Sequence, residues 1–341
     1  SVRFLMVRFS RRDFCLGMTA ASLPLFHGCA GVSAKPLSVG ALFAGKIDDK
    51  GFMEAGWRGL ERARVELGVQ TRYIDSVVPQ RDLLVAALGQ LAASGVDLVV
   101  AHGGQNNEAC SQVAALYPQV KFAVTQGGVT GANLSSYEVL QEESAYLGGV
   151  LAALTTRTGV VGHMSGIRVR PGLKGRAAFV AGVKATDAKV RVLTHFSGNQ
   201  DDNALSKRVA LAQIRAGADV IFTMLNAGRT GVIDACREQG VRQIGNVVDW
   251  VQLDPQVFVG SAIADVSNAV FDAVQDAKNG QFVSAQIRKV GLQNPQAVRL
   301  TLASDVSAAI RQKIAQVSAD IQSGKVTVTD VYEGPEFLYP A

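Results

Sequence analysis

From residue 37 onward, short and continuously apolar runs alternate with stretches whose apolar residues recur every three or four positions. That alternation is the strongest constraint on the chain. A run such as Leu98-Val99-Val100 has no polar side to turn to water, so its strand must be covered on both faces. This is the habit of a parallel sheet flanked by helices. Strands are expected over residues 37–43, 72–74, 97–101 and 122–125, separated by helices over 52–67, 83–93 and 109–116. In the helix at 52–67, Trp57, Leu60 and Ala63 share one face.

A second series follows. Strands are expected over 160–163, 190–196, 220–224, 243–248, 257–262 and 287–290. The intervening helices fall over 141–155, 174–184, 204–216, 230–238 and 266–279, with a last one over 304–323. Two such series with no long linker between them predict two doubly wound lobes joined by a hinge. The first takes residues 36–155 with about 250–282, the second 156–249 with about 283–341. Ligands of such folds bind outside the carboxyl ends of the strands, so facing lobes enclose a cleft.

Residues 1–29 read as an export leader instead of fold. The run Ser10-Arg11-Arg12-Asp13-Phe14-Cys15-Leu16 resembles a twin-arginine signal, and the apolar stretch after it is too short to span a bilayer. Leu25-Phe26-His27-Gly28-Cys29 resembles a lipoprotein box, which makes Cys29 the expected site of lipidation and the membrane anchor. Arg3, Arg8, Arg11 and Arg12 also carry much of the formal charge of +5; the remaining chain is close to neutral, so no nucleic-acid partner is implied. Cys110 and Cys236, beside alanines in helical patterns, are expected as two separate buried thiols.

Catalytic chemistry is hard to find. There is no G-x-S-x-G elbow, no phosphate loop and no G-x-G-x-x-G after a strand. His102, His163 and His195 sit in or at the ends of apolar runs without a second ligand at metal spacing, so they read as hydrogen-bonded core histidines, and no metal or cofactor is expected. Gly228-Arg229-Thr230-Gly231 reads as a helix entry, with backbone N–H groups able to meet an anion as the alternative. No catalytic residue is assigned.

Three stretches are more specific. Ile47-Asp48-Asp49-Lys50-Gly51-Phe52-Met53-Glu54-Ala55-Gly56-Trp57, the stretch Glu142-Glu143-Ser144-Ala145-Tyr146-Leu147-Gly148-Gly149, and Ile244-Gly245 with Asp249 occur in the order found in the basic membrane protein family, and the chain resembles that family over nearly its whole length. The family consists of substrate-binding lipoproteins of ABC importers whose characterised members bind purine nucleosides. The resemblance implies a type I periplasmic binding protein fold, a small-molecule ligand, a permease partner and a periplasmic location. It also implies that Asp49 and Phe52 stand near the ligand, with the ring stacking on a base, and that Asp202 and Asp249 keep two of the family's acids. Gln126 and Val247 replace acids expected to reach a sugar. A free purine or another flat heterocycle therefore competes with a nucleoside.

A flat heterocycle needs an aromatic face and a few placed polar groups. Phe52 and Trp250 can supply faces; Asp49, Asn106, Gln126, Asn226 and Asp249 can supply contacts, all in loops or first turns after strands. Asp49 and Asn106 are equally suited to capping the helices that follow them. Two further readings remain: a ligand-binding sensory protein of the same fold, and a nucleoside-processing α/β enzyme, which lacks a nucleophile–base pair.

Overall fold

The computed structural model describes residues 35–339, so the leader and Cys29 lie outside the described residues. From Pro36 the chain forms one compact unit. In the first lobe, β1 (Ser38–Phe43), α1 (Phe52–Leu67), β2 (Gln70–Ile74), α2 (Arg81–Ala93), β3 (Leu98–His102), α3 (Asn107–Leu116), β4 (Lys121–Thr125) and β5 (Leu134–Val139) follow one another. The second lobe runs through α4 (Gln141–Thr155), β6 (Val160–Ser165), α5 (Arg170–Thr186), β7 (Arg191–Phe196), α6 (Asn203–Arg215), β8 (Val220–Met224), α7 (Arg229–Gln239), β9 (Arg242–Val247), α8 (Trp250–Leu253) and β10 (Phe258–Ala264). The chain then returns through α9 (Ser267–Lys278) and β11 (Ile287–Val290) and crosses again into β12 (Val298–Leu302) and α10 (Ala308–Gln322).

Two six-stranded sheets result, ordered β11-β5-β4-β3-β1-β2 and β12-β10-β9-β8-β6-β7, parallel throughout except that β12 runs antiparallel to β10. Every residue of β1, β3 and β8 is buried, as continuous hydrophobicity requires. The strand order reverses at β1 in the first sheet and at β6 in the second. The loops after β1, β3, β6, β8 and β9 therefore leave the same ends of the sheets and frame one crevice.

Strand pairing shifts the lobe boundaries away from the expected positions near 155, 250 and 282. α4 packs on α5 so closely that a Cβ at Gly149 would lie 2.1 Å from the Phe179 carbonyl, and one at Gly182 would lie 2.1 Å from that of Tyr146. That seam fixes α4 in the second lobe. β10 pairs with β9 and so also belongs to the second lobe, whereas β11 pairs with β5 in the first. The three crossings thus fall at 139–141, 264–267 and 290–298.

Two strands escaped the periodicity. β5 is entirely buried although Ser135, Ser136 and Glu138 lie within it; Ser135 Oγ donates to the Val283 carbonyl at 2.7 Å and Ser136 Oγ to that of Val129 at 2.6 Å. β12 is a partly exposed edge strand. Cys110 and Cys236 are buried free thiols on helices of different lobes; burial pushes the Cys236 thiol up to about 12 and that of Cys110 also upward.

Candidate ligand-binding cleft

A cavity of about 470 Å³ opens between the lobes at the carboxyl ends of the strands. Phe52, Met53 and Gln105 line it from the first lobe, and Gln141, Ile167, Met224, Asn226 and Asn246 from the second. Its charged lining residues are Lys46 and Asp201; the remaining polar groups are mainly carboxamides.

Phe52 opens α1, and its ring stacks on the His102 imidazole with centroids 4.3 Å apart and planes at 23°. His102 is fully buried, and burial lowers its pKa to about 4, so the ring is neutral at ordinary pH. The Phe52 carbonyl, 2.8 Å from Nε2, can only accept; Nε2 is therefore the protonated nitrogen, and Nδ1 accepts from Thr125 Oγ1 at 2.7 Å. Gly56 makes room for this ring, because a Cβ there would lie 2.4 Å from Nε2. The result is a phenyl face held at the cavity wall by an imidazole behind it.

Asn226 lines the same cavity from the β8–α7 turn, where its backbone N–H donates to the Gln200 carbonyl at 3.1 Å. The other sequence-derived candidates lie outside the lining, each held by the protein itself. Asp49 is buried and caps α1: Oδ1 accepts from the N–H groups of Gly51 at 2.8 Å and Glu54 at 3.0 Å, and Oδ2 accepts from Met53 at 3.0 Å. Burial raises its pKa against the pull of those bonds and of Arg229. Asn106 is buried, and its Nδ2 donates to the carbonyls of His102 and Gly103 at 2.9 and 3.0 Å.

Gln126 continues the β4–β5 pairing with its side chain. Nε2 donates to the Val139 carbonyl at 2.8 Å, and Oε1 accepts from the Val139 N–H at 2.6 Å. Asp202 is exposed and caps α6 through the Leu205 N–H. Asp249 caps α8 and accepts from Thr301 Oγ1 at 2.9 Å. Trp250 stacks on Phe258 at 5.4 Å, carries the Arg229 guanidinium 4.6 Å from its ring centre, and donates through Nε1 to the Asn246 carbonyl. Asp249 and Trp250 border a second groove of about 1110 Å³. Lys50, Glu54, Arg58, Asp265 and Arg299 line that groove together with the apolar Ile47, Trp57, Val248 and Leu253, apart from the interlobe cavity.

Sequence reasoning missed Gln105, Gln141 and Asn246 as lining residues; Gln200, which stands where the resembled family has a common aromatic near the ligand, lines the cavity too. Gln141 Nε2 and Gln200 Oε1 are buried without a hydrogen-bond partner among the described residues. The lobes also meet through ions beside the first crossing. Lys174 of α5 pairs with Glu138 of β5 at 2.6 Å and with Glu142 of α4, while Arg170 reaches Glu138 at 3.2 Å. His163 is satisfied inside the second lobe by Thr194 and Ser165, with its pKa lowered to about 3, chiefly by burial. Among the described residues no group of three or more His, Cys, Asp or Glu is arranged to hold a metal ion.

Comparison with known proteins agrees with this architecture. The family model for PnrA-like ABC transporter substrate-binding proteins, Bmp, matches residues 37–331. Among curated proteins, the ABC transporter nucleoside-binding protein BmpA of Lactococcus lactis is 24% identical, with 84% of this chain and 86% of that protein covered. A purine-binding protein of Brucella abortus is 22% identical, with coverages of 88% and 85%. The transcriptional activator protein Med of Bacillus subtilis is 25% identical, with 74% and 80% covered. A solute-binding protein of an ABC transporter system from Aeropyrum pernix has the same fold, with a TM-score of 0.77, 23% identity and coverages of 86% and 93%. The chain therefore belongs to the Bmp family of PnrA-like ABC transporter substrate-binding proteins, and it is a binding protein, not an enzyme.

Proposed function

We propose that this substrate-binding protein captures a purine nucleoside, a nucleobase or a related flat heterocycle between its lobes and presents it to an ABC permease. The observation that carries the reading is the Phe52 ring, backed by neutral His102, at the wall of an interlobe cavity whose polar lining consists mainly of carboxamides. Stacking a base on such a face is worth about 1–3 kcal/mol, and uncharged amides suit the edge of a heterocycle. The names of two relatives, one nucleoside-binding and one purine-binding, support the same class.

Capture works through the lobes. A ligand that touches Phe52 on one side and Asn226 or Asn246 on the other binds the closed arrangement better than the open one, and that difference draws the lobes together. The closed pair of lobes is then the surface a permease distinguishes. We place this work outside the cytoplasm, with the chain anchored by lipid on Cys29, on the strength of the leader-like sequence. A second reading, sensing in place of transport, has the Med relative in its favour, since that protein is named as a transcriptional activator. Neighbouring genes for a permease and an ATPase distinguish the two.

Thermal melting with hypoxanthine, adenine, inosine, adenosine and guanosine tests the ligand class. At 100 times a micromolar dissociation constant, binding stabilises the folded state by about 2.7 kcal/mol, a readily measured rise in Tm. No shift with any of the five refutes the reading.

A further inference from the structure

Arg229, the first residue of α7, is 2% exposed, and its Nη2 donates to the Leu225 carbonyl at 2.5 Å and to Asn246 Oδ1. A guanidinium has donors and no acceptor, so the Asn246 carboxamide can turn only its oxygen toward it. Chemistry thereby fixes an amide orientation that would otherwise be free to flip. Asn246 is 8% exposed and lines the cavity, and the group left for the cavity is its amide nitrogen, Nδ2. Gln141, at the start of α4, also lines the cavity; it is 6% exposed, and its Nε2 has no partner among the described residues.

Two N–H donors from different elements of the second lobe thus await acceptors. A buried donor left without one is costly, and Gln200 Oε1, buried and unpartnered among the described residues on the same lining, calls for a donor. An oxopurine offers two adjacent acceptors, O6 and N7, with an N1–H donor beside them, whereas the 6-amino group of an aminopurine sets donor against donor. A multiply charged anion finds one lysine, Lys46, against the carboxylate of Asp201. The acceptors belong on an uncharged ring.

Resting on the heterocycle reading above, we infer that the cleft prefers carbonyl-bearing oxopurines to aminopurines, with Asn246 and Gln141 as specificity-determining residues and Arg229 as the residue that positions Asn246. The Arg229 contact serves a purpose beyond stability: it determines which half of an amide the ligand meets.

Calorimetric titration of the full chain with hypoxanthine and adenine, repeated with inosine and adenosine, tests this. Wild-type protein should bind each oxopurine about tenfold or more tightly than its amino counterpart. Asn246→Asp keeps an oxygen for Arg229 but replaces the donor with a second oxygen, and it should cut that ratio to about threefold or less. Gln141→Leu should lower the ratio as well, and Arg229→Met should do so while leaving Asn246 in place. The ratio is the readout because a general loss of stability weakens both ligands alike. If Arg229→Met does not fold, Asn246→Asp carries the test. Equal or tighter binding of the aminopurines, or a ratio unchanged in Asn246→Asp, overturns this inference alone. Failure to bind any of the four ligands overturns it together with the heterocycle reading.

Discussion

Replacing Lys174 with methionine probes what holds the lobes together beside the first crossing. The lysine side chain is 7% exposed and lies between Glu138, 4% exposed, and Glu142, 12% exposed. Removing one partner of a buried ion pair typically costs about 3–5 kcal/mol, because the other charge stays buried without compensation. Here the loss is divided. Glu138 keeps Arg170 at 3.2 Å, while among the described residues no other ion pair reaches Glu142. The expected cost at neutral pH is therefore near the lower end, about 3 kcal/mol, read as a fall in the urea midpoint at constant slope.

The pH dependence carries a definite sign. Burial, the largest influence on Glu142, already raises its pKa in the intact protein, against the opposing pull of Lys174. In Lys174→Met that opposition is gone, so the charged carboxylate is penalised more strongly. The penalty is present in full at neutral pH and fades as pH falls through the raised folded-state value, where the group protonates. Lowering the pH from 7 to 5 should return part of the lost stability, and Lys174→Met with Glu142→Gln should be more stable at pH 7 than Lys174→Met alone. A loss under about 1 kcal/mol, or a double variant no better than the single one, refutes the reasoning that the cluster is tightly coupled and buried.

Other substitutions test neighbouring parts of the account. Phe52→Ala should weaken binding of the best heterocycle by about 1–3 kcal/mol in calorimetry and, because the ring also stacks on His102, lower the melting temperature of the ligand-free protein; an unaltered dissociation constant contradicts the stacking role. Gly56→Ala should cost about 1–3 kcal/mol in denaturant unfolding, as overpacking does, because the added methyl meets the His102 ring at 2.4 Å. Cys29→Ser should move the protein from the membrane fraction to the soluble one and abolish labelling by radioactive palmitate; unchanged partitioning rules out the anchor.

The fold was legible wherever one side chain after another had to be dry. β1, β3 and β8 announce themselves because apolar residues dominate them. β5 hid because its serines and Glu138 are buried with partners supplied by Val283, Val129, Lys174 and Arg170, which no local pattern displays. Lobe membership was harder still: α4 belongs where Gly149 and Gly182 let it touch α5, a fact of tertiary approach.

The cleft shows the same division. Phe52 was found through its motif and lines the cavity. Asp49, Asp202 and Asp249 stand just before helices, where an acid that caps and an acid that meets a ligand look identical in sequence; hydrogen bonds to backbone N–H groups identify the three as caps. Gln126 spends both ends of its amide on Val139, thirteen residues away. Asn246 and Gln141 carried no signal, since their importance depends on a buried arginine and on a cavity that exists only once both lobes are assembled.

Small-angle scattering of the purified protein, with and without a saturating purine or nucleoside from the melting panel, addresses lobe closure most directly. Capture between hinged lobes predicts a smaller radius of gyration with ligand present and recovery of the ligand chemically unchanged. An unaltered radius at saturation, or a converted ligand, contradicts it.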